Sequence, residues 1–207
     1  MMSLKNFVLL LLCLWGLQEE GVQACSCFPM HPQQLYCQTD VTVIKAKVVG
    51  VTPGGQGRLT KYDIKLMKTF KGVEKLFTAV HTGPDSAACG VALTKGVEYL
   101  LMGRLQSDGS LHVHLCDIHQ PWKDLSIMRK HLLYHYGEGC DCTIKSCISF
   151  PCCMTSLTEC LWTDFLPGKL GNRDQAQNYA CVKKSDGCCA WDRPAIYQPN
   201  GYPTLKG

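Results

Sequence analysis

Alternating apolar and polar residues predict five short β-strands in the first two-thirds of the chain. The predicted strands cover residues 40–49, 60–70, 76–82, 97–105 and 110–116. Turn-forming residues separate them, including a glycine-rich segment at residues 52–57 and Ser107-Asp108-Gly109, which is a hairpin signal. Short strands joined by such turns indicate a small antiparallel sandwich or barrel.

After the fifth strand the apolar residues recur every three or four positions, as on one face of a helix. Between residues 122 and 136 they are Leu125, Met128, Leu132 and Tyr136. Pro121 is well placed for the start of a helix, because proline has no N–H to lose there. The spacing therefore predicts an amphipathic helix over residues 122–136 that closes the first structural unit.

The first 24 residues have the pattern of a secretory signal peptide. A basic start precedes an apolar run at residues 7–17, which is shorter than the roughly 20 residues that span a bilayer. Val22 and Ala24 suit the −3 and −1 positions of a cleavage site. An N-terminal membrane anchor is the alternative. We expect cleavage after Ala24, so that a secreted, extracellular chain without a membrane span begins at Cys25.

Cysteine is the most informative residue type, with 15 in 207 residues. Removal of Cys13 with the signal peptide leaves 15 − 1 = 14, an even number that suits disulfides in an oxidising compartment. Most of them lie after residue 139, in a segment too short to build a large core without staples. We therefore expect a signal peptide at 1–24, a first domain at 25–140 and a disulfide-rich C-terminal domain at 141–207.

Charge and histidine placement bear on which functions are excluded. The formal net charge of +4 is spread along the chain, which argues against a nucleic-acid partner.

His112 and His114 would face the same side of a strand and resemble part of a zinc site. A zinc hydrolase needs three protein ligands, and no third residue has suitable spacing. A half-exposed strand with polar histidines is the favoured interpretation, and a secreted metalloenzyme built on this pair is the alternative.

The expected mature terminus, Cys25-Ser26-Cys27-Phe28-Pro29, offers a second kind of metal chemistry. An α-amino group has a reference pKa of about 7.7–8.0, and with the carbonyl oxygen of its own residue it can close a five-membered chelate on a metal ion. Disulfides at both cysteines would hold such a chelate rigid and lower the ordering cost of binding. The alternative is a terminal disulfide that only fixes the chain end, and the residues alone leave both open.

Several motifs resemble those of the tissue inhibitors of metalloproteinases. They are Cys25-Ser26-Cys27, His31-Pro32-Gln33-Gln34, Cys37, Ile44-Lys45-Ala46-Lys47, Phe70-Lys71-Gly72, Cys89-Gly90, Leu115-Cys116-Asp117, Pro121-Trp122, Glu159-Cys160-Leu161-Trp162-Thr163-Asp164, Ser185-Asp186-Gly187 and Cys189-Ala190-Trp191. The resemblance runs from Cys25 to about Arg193 and includes twelve cysteines in the family's positions. On these residues the chain is identified as a member of that family.

The resemblance implies a mainly β fold, with a five-stranded OB-type (netrin-like) barrel, flanking helices and a small disulfide-rich C-terminal domain of strands and loops. It also implies six disulfides, namely Cys25–Cys89, Cys27–Cys116, Cys37–Cys140, Cys142–Cys189, Cys147–Cys152 and Cys160–Cys181. Cys153 and Cys188 have no counterpart in the usual framework. The simplest hypothesis is a further bridge between these two, with intermolecular pairing or local reshuffling as alternatives.

The function implied by the resemblance is inhibition of zinc metalloproteinases, mainly matrix metalloproteinases and also related membrane-anchored proteases. The chain would not be an enzyme and would have no cofactor of its own. As a monomer in a one-to-one complex, it would chelate the target's catalytic zinc through the Cys25 amine and carbonyl. The implied protease-binding residues are Cys25, Ser26, Cys27, Phe28, Pro29, Gln38, Arg58, Ser86, Ala87 and Ala88. A non-inhibitory netrin-like module that binds matrix or a receptor is the alternative.

Overall fold

The computed structural model describes residues 25–55, 57–168 and 173–195. The predicted signal peptide at 1–24 lies outside these residues. Within them, the chain forms ten strands in three sheets, with short helices between them.

Five strands close into a barrel, which confirms the expected fold class. They are β1 (Val41–Thr52), β2 (Thr60–Lys71), β3 (Ala79–Thr82), β4 (Glu98–Leu105) and β5 (Leu111–His112). Their order is β1-β2-β3-β5-β4, and β4 pairs with β1 to complete the barrel. Neighbours are antiparallel except β3 and β5, which are parallel. A short strand that the sequence pattern did not predict, β6 (His119–Pro121), also pairs with β4. It lies on the edge of β4 that faces away from β1, which is also the edge that pairs with β5.

Strand β1 is covered on both faces, which explains its long apolar run. Successive side chains of a strand point to opposite faces, and the neighbours Val43 and Ile44 are both fully buried. Ile44 belongs to the barrel interior, whereas Val43 belongs to a second core outside the barrel. The β1–β2 register shifts between these two residues. One strand therefore joins two hydrophobic cores.

The second core is covered by short helical segments, where the predicted single helix over 122–136 is wrong. The structure has a 3-10 helix at Trp122–Asp124, helix α2 at Ile127–Leu132 and another 3-10 helix at Tyr136–Gly139. Helix α1 (Pro32–Cys37) comes earlier in the chain. Ser126 has extended backbone and its side chain accepts a hydrogen bond from the Arg129 N–H, so it starts a new helix. The four predicted apolar residues are nevertheless buried.

The C-terminal segment forms two small two-stranded sheets. Strands β7 (Thr143–Ser146) and β8 (Glu159–Trp162) are parallel, and β9 (Ala180–Lys183) and β10 (Cys189–Asp192) form an antiparallel hairpin after helix α3 (Asp174–Asn178). Ala180 and Val182 pack into the second core together with residues of α1 and α2. The contacts therefore cross residue 140, and the division into domains there stays a prediction.

Six disulfides link the described residues, with the pairings that the resemblance implies. They are Cys25–Cys89, Cys27–Cys116, Cys37–Cys140, Cys142–Cys189, Cys147–Cys152 and Cys160–Cys181. The first three span 64, 89 and 103 residues of sequence. Because cross-linking distant residues restricts the unfolded chain, these three contribute the most stabilisation in the chain-entropy model.

The additional bridge suggested between Cys153 and Cys188 is wrong, because both cysteines are free in the structure. Cys189 is buried and disulfide-bonded, whereas Cys188, which precedes strand β10, is only partly buried. Cys153 is exposed and follows Cys152, whose sulfur already belongs to another disulfide.

Candidate functional site

Two disulfides fasten residues 25–29 to the barrel. Cys25 bonds to Cys89, and Cys27 bonds to Cys116. The sulfur atoms of Cys25, Cys27 and Cys116 lie within 4.8 Å of one another, so the two bonds are adjacent. Residues 26–29 are exposed even though the backbone on both sides of Ser26 is anchored. We call residues 25–29 together with residues 86–88 the ridge.

The second part of the ridge is the tip of a tight loop between β3 and β4. The Gly90 N–H donates to the Asp85 carbonyl oxygen at 2.7 Å, and the Cys89 N–H donates to that of Ser86 at 3.2 Å. The Asp85 carboxylate accepts a hydrogen bond from the Ala88 N–H at 2.9 Å. Residues 85–88 are exposed above this hydrogen-bonded base.

The closure of that loop depends on two glycines. A Cβ atom on Gly83 would lie 2.2 Å from the Ala88 carbonyl oxygen, and one on Gly90 would lie 2.2 Å from that of Gly83. Cys89 itself has a positive φ of 56°, which is uncommon for a residue other than glycine. The disulfide from Cys25 therefore ends on a backbone position whose conformation the surrounding loop fixes.

A third segment, residues 114–117, supports the ridge, although the sequence pattern predicted no binding role for any of its residues. The Leu115 N–H donates to the Cys89 carbonyl oxygen at 2.8 Å. The buried carboxylate of Asp117 accepts a hydrogen bond from the His114 N–H at 2.9 Å, and burial raises the pKa of Asp117. The position of Cys116 opposite Cys27 was the signal that could have indicated Leu115.

The ridge has an uncharged and partly apolar surface. Residues 25–29 and 86–88 contain no Asp, Glu, Lys, Arg or His. Phe28 is 77% exposed, and the adjoining Met30 and Leu115 are 44% and 37% exposed. These side chains give the ridge and its margins an apolar surface that a protein partner could cover.

The two other predicted binding residues have different positions. The Gln38 amide donates to the Met30 sulfur at 3.3 Å, so this side chain lies beside the chain leaving the ridge. Arg58 lies at the tip of the β1–β2 hairpin, where its backbone pairs with Gly55. The described contacts thus join Gln38 to the neighbourhood of the ridge, and those of Arg58 stay within its own hairpin.

The histidine pair that suggested a metalloenzyme does not form a metal centre with a third ligand. The His112 ring lies 5.4 Å from that of His81 on the adjacent strand, and His114 lies beyond the end of β5 and is exposed. Within the described ranges, the groups of three or more potential ligand side chains consist of cysteines, and these are disulfide-bonded. The geometry favours the interpretation as polar histidines, of which His112 lies in a strand and His114 follows it.

Among the residues with described positions, no helix has the length and apolar character needed to cross a membrane.

Comparison with known proteins identifies the family of the chain. The family model described as "Tissue inhibitor of metalloproteinase" matches residues 23–191. Metalloproteinase inhibitor 2 of Cavia porcellus is 44% identical over 195 residues, which cover 89% of this chain and 88% of the relative. The proteins of the same name from Homo sapiens and Gallus gallus are 45% and 41% identical, over 83% and 82% of this chain and the same shares of the relatives. These names describe inhibitors and not enzymes, as expected for this chain. The chain belongs to the tissue inhibitor of metalloproteinase family.

Proposed function

We propose that this chain is a secreted inhibitor of zinc metalloproteinases and that the ridge occupies the substrate cleft of the target. The observation that carries the proposal is the exposed, uncharged ridge whose first residue, Cys25, is fixed by a disulfide to a rigid loop. The relatives are named metalloproteinase inhibitors, which supports the same function.

The chelating atoms would be the backbone nitrogen and the carbonyl oxygen of Cys25. Cleavage after Ala24 would free that amine, and the two atoms are separated by the correct number of bonds for a five-membered chelate. The Cys25 and Cys27 sulfurs are in disulfides, so they have no thiolate to offer. A catalytic zinc has three protein ligands and one open position, where the target activates its water. By binding there through two atoms, the Cys25 backbone would exclude the water and make the zinc five-coordinate.

The remaining ridge residues would bind the cleft on either side of the zinc. Ser26 would point into the specificity pocket on the leaving-group side, and Cys27, Phe28 and Pro29 would follow the cleft as a product does. Ser86 and Ala87 would fill the opposite side. Because Cys25 begins the mature chain and Ser86 belongs to another segment, no peptide bond would lie across the zinc. The inhibitor would therefore bind without being cleaved.

Rigidity is the physical basis for tight binding in this proposal. Ordering a flexible terminus would cost part of the binding free energy, whereas two adjacent disulfides have fixed it in advance. The zinc would belong to the target, the inhibitor would have no cofactor of its own, and one inhibitor would bind one protease. The proposed targets are matrix metalloproteinases and related membrane-anchored proteases.

The decisive experiment changes only the terminal nitrogen. Three forms are compared in a peptide-cleavage assay with a matrix metalloproteinase, namely the chain beginning at Cys25, the chain retaining Ala24, and the chain acetylated on Cys25. The first form is expected to inhibit, and both others are expected to lose more than about a hundredfold in affinity, or about 2.7 kcal/mol. Equal melting temperatures would show that the fold is unchanged.

Full inhibition by the acetylated form would overturn the chelation mechanism. No inhibition by the form beginning at Cys25 would favour the non-inhibitory netrin-like module. Sequencing the N-terminus of the secreted protein would check the cleavage site independently.

A further inference from the structure

Two histidine side chains converge at the end of helix α2, and neither belongs to the ridge. The Nε2 atoms of His131 and His135 lie 3.2 Å apart, and their ring centroids are 4.8 Å apart. His131 lies in the last turn of α2, and the chain continues to coil after the helix ends. The Tyr134 N–H donates to the His131 carbonyl oxygen, and the His135 N–H donates to that of Leu132. Residues four apart therefore remain on one side of the chain.

A carboxylate fixes the second ring. The Nδ1 atom of His135 lies 3.0 Å from Oε1 of Glu138. In a neutral imidazole only one nitrogen is protonated, and the hydrogen bond made by one nitrogen sets the state of the other. With the Nδ1 proton directed at Glu138, the Nε2 lone pair of His135 faces Nε2 of His131 and becomes available to a metal ion when the hydrogen bond between the two rings is replaced. Histidines that bind metals are commonly oriented by a carboxylate in this way.

We propose that His131 and His135 bind a divalent transition-metal ion through their Nε2 atoms, with Glu138 as the positioning residue. Zinc–imidazole bonds of about 2.0–2.1 Å place two ligand nitrogens about 3.3 Å apart at a tetrahedral ion and about 2.9 Å apart at a right angle. The observed 3.2 Å lies between these values. Two imidazoles suit Cu²⁺, Ni²⁺ and Zn²⁺, and Cu²⁺ is expected to bind most tightly.

The site is open to an ion from solvent. The His135 side chain is 31% exposed, the Glu138 side chain is 60% exposed, and His131 is half-buried. Water would complete the coordination. Binding would replace the contact between the two rings and would link α2 to the 3-10 helix that begins at Tyr136. Since none of these residues belongs to the ridge, the ion would leave inhibition unchanged.

The test uses the whole mature protein acetylated at Cys25 and alkylated at the free thiols of Cys153 and Cys188, so that neither the terminal amine nor these thiols can bind the added metal. Zn²⁺ and Cu²⁺ are titrated separately by calorimetry. One ion per chain is expected, with Cu²⁺ tighter than Zn²⁺, and His131→Gln or His135→Gln is expected to weaken binding at least tenfold. Glu138→Ala is expected to weaken it about tenfold, as does the loss of other groups that orient a ligand. His114→Gln is the matched control, since this exposed histidine lies elsewhere, and it should bind as the unsubstituted protein does.

A second measurement needs no variant. Substoichiometric Cu²⁺ is expected to broaden the imidazole NMR signals of His131 and His135 first, because a bound paramagnetic ion affects its nearest nuclei most. The proposal is overturned if neither ion binds, if the two glutamine variants bind normally, or if binding is lost in His114→Gln. Broadening of other histidines in place of this pair would also overturn it.

Discussion

The side-chain amide of Gln33 forms a pair of hydrogen bonds with the backbone of Cys181. Its nitrogen donates to the Cys181 carbonyl oxygen at 2.7 Å, and its oxygen accepts from the Cys181 N–H at 2.7 Å. The same nitrogen donates to the Tyr136 carbonyl oxygen at 3.1 Å. Gly139 permits this approach, because a Cβ atom there would lie 1.7 Å from the Cys181 carbonyl oxygen. The Gln33 side chain thus forms with Cys181 the two hydrogen bonds that a neighbouring strand would otherwise form with this part of β9.

Gln33→Ala is therefore expected to lower the free energy of unfolding by about 3 kcal/mol. The substitution leaves a buried N–H and two carbonyl oxygens without this partner, and each unsatisfied buried group costs about 1–3 kcal/mol. Denaturant unfolding with intact disulfides measures the change. Gln106→Ala is the control, because Gln106 is exposed and should change stability by less than about 0.5 kcal/mol. Equal stabilities of the two variants would show that the Gln33 contacts contribute little.

His31 lies fully buried at the start of α1, beside this contact. Its Nδ1 accepts a hydrogen bond from the Gln33 N–H at 3.2 Å, and its Nε2 lies 3.4 Å from the Gln175 carbonyl oxygen. Its ring lies 5.2 Å from that of Trp162 and 5.1 Å from that of Trp191. Burial lowers the pKa of His31 to about 4.

We expect the protein to lose stability between pH 6.5 and pH 4 because of His31. In this range the unfolded state binds a proton on the imidazole and the native state does not, so unfolding is favoured as the pH falls. Above pH 6.5 the stabilisation is fully present, and below pH 4 both states are protonated and the loss stops. The difference in pKa corresponds to about 3 kcal/mol.

Urea unfolding at pH 7, 5 and 4 measures this dependence, and His31→Gln provides the comparison. The variant is expected to be less stable at pH 7 but to lose less stability on acidification. The lowered pKa of His112 has the same sign, and it remains in both proteins and so cancels. Parallel pH profiles would contradict the assignment to His31.

The barrel could be predicted from the sequence because alternation of apolar residues reports burial directly. The number of barrel strands and the burial of Leu125, Met128, Leu132 and Tyr136 followed from that pattern. The break at Ser126 did not, because it depends on a local hydrogen bond that competes with the helix.

Only part of the candidate site could be predicted from the local sequence. Residues 25–29 stand out because two cysteines follow a cleavage signal. The loop at 86–88 was linked to them only through the family's disulfide pairing, since no local pattern relates positions 64 residues apart. The role of Leu115 could not be predicted for the same reason, because it arises from a backbone hydrogen bond to Cys89.

Gly90→Ala is expected to weaken inhibition more than tenfold while the barrel remains folded. The added Cβ would lie 2.2 Å from the Gly83 carbonyl oxygen and 2.7 Å from that of Asp85, so the loop carrying Ser86 must shift. Inhibition of peptide cleavage and the melting temperature are measured together. Gly137→Ala is the matched control, because its Cβ would approach the Tyr36 hydroxyl only to 3.9 Å. Unchanged inhibition by Gly90→Ala would show that the loop does not contribute to binding.

Phe28 provides the clearest separation of binding from stability. Its side chain is 77% exposed, so Phe28→Ala should leave the melting temperature unchanged. A phenylalanine that becomes buried in a protease cleft contributes about 1.5–3 kcal/mol, so the inhibition constant should rise by roughly tenfold to a hundredfold. The loss should differ among target proteases with wider and narrower pockets.

Phe150→Ala is the matched control for this last prediction, because Phe150 is 71% exposed but lies in the loop between β7 and β8. It should change neither stability nor inhibition of an isolated catalytic domain. If the two alanine variants inhibit equally well across a panel of proteases, Phe28 does not enter the cleft. The direction of the chain from Cys25 to Pro29 along the cleft would then have to be revised.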